Sequence, residues 1–112
     1  MDKITKDQLV RTNAVYGGKL RQSNSLDYAV ERANSEKNSY KRLAYLVRSM
    51  TSDHSFIDGN KRTAITVVLC EFENEGIKVN EKALTRTMID LAKTGEGDIT
   101  KIVVKLRRCS RR

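Results

Sequence analysis

Apolar residues recur at three- and four-residue spacing in one stretch of this chain after another, and no proline interrupts any of them. Leu26, Ala29, Val30 and Ala33 form one series, and Tyr40, Leu43, Ala44, Val47 and Met50 a second. Leu84, Met88, Leu91 and Ala92 make a third; Ile99, Ile102, Val103 and Leu106 make a fourth. Such spacing places side chains on one face of a helix. Thr5-Lys6-Asp7-Gln8 reads as a capping box opening a first helix, whose stripe of Leu9, Val10, Asn13 and Tyr16 is rough. Gly17-Gly18 ends that helix, Asn80 and Asp98 are placed to cap later ones, and Gly76 and Gly95 to stop them. Asn34 to Asn38 reads as a turn. Six helical segments and no sheet predict an all-α fold, a compact helical bundle.

The remaining segment, from Lys61 or Arg62 to about Asn74, carries apolar residues round much of its circumference: Ala64, Ile65, Val67, Val68, Leu69, Cys70 and Phe72. A helix of that kind belongs near the middle of a small bundle, with Cys70 as a core thiol. Lys19 to Asn24 is short and polar and fits a loop or small hairpin, and Ile77 to Val79 an extended connector. The chain ends on Arg107-Arg108 and Arg111-Arg112, a tail suited to a helix C-terminus, with Cys109 on the exposed side.

No Ser/Gly-rich linker or repeat divides the 112 residues, so 1–112 is expected to be a single domain. No apolar stretch approaches the roughly 18 residues needed to span a bilayer. The N-terminus lacks a secretory signal pattern, and two cysteines make no disulfide framework, which points to a cytoplasmic protein. The 22 Lys and Arg against 14 Asp and Glu, a net charge of +8, invite a nucleic-acid partner. No helix-turn-helix or zinc-ligand pattern accompanies them, and the basic residues outside the tail are scattered. A solvated basic tail is therefore favoured over a nucleic-acid contact. Tyr16, Tyr28, Tyr40 and Tyr45 are read as residues at the core edge rather than catalytic phenols.

One stretch concentrates chemistry. His54, Asp58, Asn60, Lys61 and Arg62 fall within nine positions and run into the start of the apolar helix. Backbone amides at a helix N-terminus, with the helix dipole, attract anions. Gly59 allows close approach or a positive φ. Arg62 can hold two phosphate oxygens at once, Lys61 acts as a mobile point charge, and Asp58 offers a hard oxygen to Mg²⁺. His54, the single histidine, is the residue type best suited to proton transfer near neutral pH. Phe56 is expected to point inward and anchor the loop. On residues alone this is either a phosphate-binding, phosphate-transferring loop or a polar turn with a surface histidine.

The run His54-Ser55-Phe56-Ile57-Asp58-Gly59-Asn60-Lys61-Arg62-Thr63-Ala64 resembles the signature of the Fic/Doc superfamily, His-x-Phe-x-(Asp/Glu)-Gly-Asn-(Gly/Lys)-Arg. The resemblance continues more loosely from Gly18-Lys19-Leu20-Arg21 through Leu26-Asp27-Tyr28-Ala29 to the Asp98–Leu106 region. It implies a helical bundle with a short flap, ATP and Mg²⁺ as cofactors, and His54 as general base on a target-protein hydroxyl. It assigns the metal to Asp58, the nucleotide phosphates to Gly59, Asn60, Lys61 and Arg62, and target docking to a flap at Lys19, Leu20, Arg21 and Gln22. AMP-transferring members carry Gly where this chain has Lys61 and a second Arg where it has Ile65. The Doc toxin branch carries Asn-Lys-Arg-Thr-Ala followed by an apolar residue, as here.

The Doc resemblance implies transfer of the γ-phosphoryl group of ATP to a Ser or Thr hydroxyl of a translation elongation factor. Protein adenylylation stands as the alternative, and a non-catalytic nucleic-acid- or protein-binding helical domain as a third. The inhibitory pattern (Ser/Thr)-x-x-x-Glu-(Gly/Asn) of many members is not matched. Leu69, Glu71 and Ala92 stand four residues before Glu73, Glu75 and Glu96. Control by a separate antitoxin protein is the expectation that follows.

Overall fold

Six helices form where the apolar series place them, in a computed structural model that describes residues 3–111. Met1, at the head of the first predicted segment, and Arg112 of the basic tail lie outside the described residues. Helix α1 (Lys6–Val15) opens on the capping box: the Thr5 hydroxyl accepts from the Gln8 N–H at 3.2 Å, and Gln8 Oε1 accepts from the Thr5 N–H at 2.9 Å. Helices α2 (Ser23–Ser35), α3 (Ser39–Thr51), α4 (Asn60–Asn74), α5 (Glu81–Thr94) and α6 (Ile99–Cys109) follow. The side chains of Asn38, Asn80 and Asp98 cap α3, α5 and α6. Gly95 ends α5 in the left-handed conformation that a helix stop of this kind requires.

The axis of the bundle is α3, with α2, α4 and α6 packed round it and α5 closing against α6 and α4. Leu43 to Val47 is continuously buried, and Leu43, Leu46 and Met50 are wholly shielded from solvent. Each such side chain contributes about 1.5–3 kcal/mol of apolar burial. Three polar residues of α3, Arg42, Ser49 and Thr51, are buried too, and each finds a partner. Ser49 Oγ donates to Leu46 O at 2.7 Å, Thr51 Oγ1 donates to Val47 O at 2.9 Å, and Arg42 pairs with Glu71 of α4 at 3.4 Å.

The central place predicted for α4 therefore belongs to α3. Only Ala64, Val68 and Phe72 of its apolar residues are fully buried; Ile65, Val67 and Leu69 are half-buried. Burial follows how much of a helix its neighbours cover, and beyond α3 the helix α4 meets chiefly the short α1 and part of α5. The two cysteines exchange their expected places for the same reason: Cys70 is exposed and Cys109 is buried. Burial pushes the Cys109 thiol up, against a hydrogen-bonding contact with Thr87 at 3.3 Å that lowers it. A thiol-specific reagent is expected to add to Cys70 in the native protein and to Cys109 only after unfolding, as counted by intact mass.

Two features depart from a purely helical fold. Lys78–Val79 (β1) pairs antiparallel with Ser110–Arg111 (β2), with Lys78 opposite Arg111 and Val79 opposite Ser110. The basic tail thus folds back at Ser110–Arg111 onto the connector after α4. A two-residue pairing across about thirty positions has no periodic trace in a sequence. The second feature is the segment before α2. Leu20 bridges Phe56 in antiparallel fashion, the Ile57 N–H donates to Lys19 O at 2.8 Å, and the Arg21 and Gln22 N–H groups both donate to Ser55 O. Lys19–Gln22 is the short flap of the fold, laid along the loop that precedes α4; Ser23 and Asn24 already belong to α2.

Candidate active site

The loop between α3 and α4 is held from four directions. The Ser55 N–H and Oγ both donate to Ser49 O at the end of α3, at 3.0 and 2.7 Å. Phe56 is wholly buried and anchors the loop in the core, as predicted. From the flap side, Arg21 donates to the carbonyl oxygens of His54 (3.0 Å) and Asp53 (3.3 Å). From α1, the buried Asn13 donates to Asp58 O at 2.8 Å and to Thr63 Oγ1 at 3.1 Å. The fourth brace is internal: Asn60 Oδ1 accepts from the Phe56 N–H at 3.1 Å, and Asn60 Nδ2 donates to Phe56 O at 2.8 Å.

Within this frame His54 adopts φ +52°, the only positive φ of a non-glycine residue among those described. That conformation is uncommon outside glycine and marks a site whose surroundings over-determine the backbone. The His54 side chain is exposed, and no hydrogen bond among the described residues engages its imidazole. Gly59 takes φ +74° immediately before α4, and a Cβ there would meet Asn13 Nδ2 and Tyr16 Cβ at 3.1 Å. No side chain caps α4. The first intrahelical bond of this end runs from the Thr63 N–H to Gly59 O at 2.9 Å, so the amides of Asn60, Lys61 and Arg62 precede the ladder. Gly18 is constrained by space alone: a Cβ there would collide with Asn13 Oδ1 and the Asp58 carbonyl. Gly18→Ala is expected to push the Asp58 turn out of place and lower activity at least as much as stability, read by comparing turnover with the thermal midpoint.

His54, Asp58, Gly59, Asn60, Lys61 and Arg62 line one cavity of about 410 Å³, within the size range of small-ligand sites. Tyr16, Ile57 and Ala92 complete its wall. Lys61 and Arg62 are exposed and make no ion pair among the described residues, whereas Asp58 Oδ1 accepts from the Gly59 N–H at 2.8 Å. Among the described residues no group of three His, Cys, Asp or Glu is close enough to hold a metal ion. Asp58 is the one carboxylate lining the cavity, a donor set that fits Mg²⁺ bound chiefly through phosphate oxygens.

The structure brings together every residue the signature assigned to phosphate, metal and proton transfer, and it lays Lys19, Leu20, Arg21 and Gln22 beside the loop rather than in the cavity wall. It also redistributes roles. The Asn60 side chain is committed to the Phe56 backbone, so what it turns to the cavity is the start of α4. Arg21 braces the loop. Asn13, Tyr16 and Ala92 were not singled out from the sequence as site residues. Tyr16 reaches the site from the end of α1, where its hydroxyl lies 2.7 Å from Thr66 Oγ1. The single signal for Asn13 was its amide within an apolar stripe.

An uncapped helix start, a left-handed glycine and a cation pair thus face one cavity of the helical bundle, an arrangement chemically suited to an anion. Residues 3–70 match the Fic/DOC family, and the chain belongs to it. The match spans α1 to most of α4 and includes the whole loop. No curated protein matches the chain.

Proposed function

We propose that the protein transfers the γ-phosphoryl group of ATP to a Ser or Thr hydroxyl of another protein, a translation elongation factor on the Doc resemblance. The observation that carries this reading is the convergence of His54, Asp58, Lys61 and Arg62 on one cavity at the open start of α4. The triphosphate lies against the α4 amides, with Arg62 as its bidentate contact and Lys61 as added charge at the transferring group. His54 accepts the proton of the target hydroxyl as its oxygen bonds to the γ-phosphorus. The bond from that phosphorus to the β–γ bridging oxygen breaks, and ADP leaves with the electron pair. Asp58 is the residue that would hold Mg²⁺, which would supply charge neutralisation on the phosphates. The flap edge at Lys19–Gln22 receives the target chain, and a separate antitoxin protein controls access.

Ile65 favours phosphoryl over AMP transfer. It packs half-buried against the core where AMP-transferring members place a second phosphate-orienting arginine. The deciding experiment incubates purified protein with cell extract and ATP labelled in the γ- or the α-phosphate. Movement of the γ label to protein supports this reading. Movement of the α label replaces it with adenylylation, and movement of neither rejects both.

A further inference from the structure

Basic residues that are scattered along the chain are gathered by the fold at the far end of α4. That helix runs 15 residues, about 22 Å at 1.5 Å per residue, from the candidate active site to the turn at Gly76. Just past the turn lies an open groove of about 560 Å³ into which Lys78, Arg107, Arg108 and Arg111 all converge. Among the described residues, no carboxylate lines it and none of these four cations makes an ion pair.

The arrangement is held against its own repulsion. Lys78 stands directly opposite Arg111 in the β1–β2 pairing, a position where like charges oppose the pairing. Arg107 lies over the Tyr40 ring, 4.8 Å from its centroid, which fixes its guanidinium. Favourable contact with the C-terminus of α6 accounts for Arg107 and Arg108 but not for Lys78, which lies on another element. The groove also does not stand alone. It shares Arg111 with a depression that adds Lys82, and Arg108 with one that adds Arg86. Glu81 lies in the first of these, and Asp90 in the second is engaged by Lys105 at 2.8 Å. The result is a track of cations, mostly arginine, across β1, β2, α5 and α6.

We infer that this track binds the phosphodiester backbone of a nucleic acid, at a site separate from the nucleotide cavity and lying outside the residues that match the family. Three adjoining depressions suit an extended polyanion better than a single phosphate, and arginine forks match phosphate oxygens. An acidic protein surface is the less suited partner. The groove offers no exposed aromatic or aliphatic anchor of the kind on which protein interfaces depend, since Ile77 is half-buried and Tyr40 is covered by Arg107. Linear spacing disfavoured a nucleic-acid contact; the fold restores one by assembling the site from separated positions.

The test measures binding of a fluorescent single-stranded oligonucleotide to the full chain as salt is raised. For six phosphate contacts, from Lys78, Lys82, Arg86, Arg107, Arg108 and Arg111, affinity is expected to fall roughly three-hundred-fold between about 50 and 200 mM salt. Lys78→Gln with Arg108→Gln and Arg111→Gln should reduce that dependence to roughly twenty-fold, with weaker binding at low salt. All three side chains are exposed, and an unchanged circular dichroism melt checks the fold. The charge-matched Lys37→Gln, Lys93→Gln, Lys101→Gln variant should bind like the unaltered protein. Equal losses in the two triple variants would reduce the effect to net charge and overturn the proposal. So would the absence of saturable binding, or polyglutamate of equal charge binding as tightly as the oligonucleotide. None of these readouts depends on transfer activity.

Discussion

His54→Ala is expected to lower the rate of γ-phosphoryl transfer by about 10²–10⁴-fold while leaving affinity for ATP close to that of the unaltered protein. The groups suited to phosphate belong to α4 and the Gly59 turn, whereas His54 reaches the same cavity from the other end of the loop. Removing the imidazole takes away the proton acceptor without touching those groups. The φ of +52° complicates the alanine variant, since alanine is strained in that conformation. His54→Asn is the better-matched comparison, because asparagine tolerates the left-handed region and cannot serve as a base at neutral pH. The two variants should lose transfer alike and differ only slightly in thermal midpoint. Calorimetric titration with ATP and initial rates of label transfer separate the terms. A parallel loss of nucleotide affinity in both would make His54 a nucleotide contact instead of a base.

What could be read in advance depended on whether the cooperating residues are neighbours in sequence. The helices, their caps and the loop were legible because each is a local pattern: Thr5 with Gln8, Asn80 with Ala83, and the contiguous run from His54 to Arg62. The residues that the signature names also line one cavity, since a helix start brings adjacent amides and side chains to one point. The bracing was not legible. Asn13 holds a carbonyl 45 residues away, and Arg21 one 33 residues away. Nothing local distinguishes either from an ordinary surface amide or cation. Ala92 has no chemistry to announce it and enters only because α5 passes the mouth of the cavity. The apolar run of α4 misled in the opposite sense. It indicated that the helix packs, but not which of its faces would find neighbours, and Cys70 fell on the face that did not.

The same limit applies to the largest effect expected on stability. Arg42 and Glu71 sit within the core with side chains only 3% and 8% exposed, 3.4 Å apart, joining α3 to α4. Arg42 also donates to Ala33 O at 3.4 Å, which ties the pair to the end of α2. Glu71→Leu leaves a buried guanidinium without its carboxylate, a change that costs about 3–5 kcal/mol. That is a large fraction of the roughly 5–15 kcal/mol available to a domain of this kind. At about 4 °C per kcal/mol, the thermal midpoint should fall by about 12–20 °C. Arg42→Met should destabilise to a similar extent by removing the guanidinium that Glu71 meets at 3.4 Å. The double variant should recover most of the loss, because a well-packed apolar pair avoids the desolvation of two charges. Melting curves for the two single variants and the double variant form a closed cycle that measures the coupling. Additive losses would show that the two residues act through separate contacts. Because α4 carries the end of the site proposed to take phosphate, recovery of the midpoint without recovery of turnover would show that the ion pair sets the position of that helix as well as its stability.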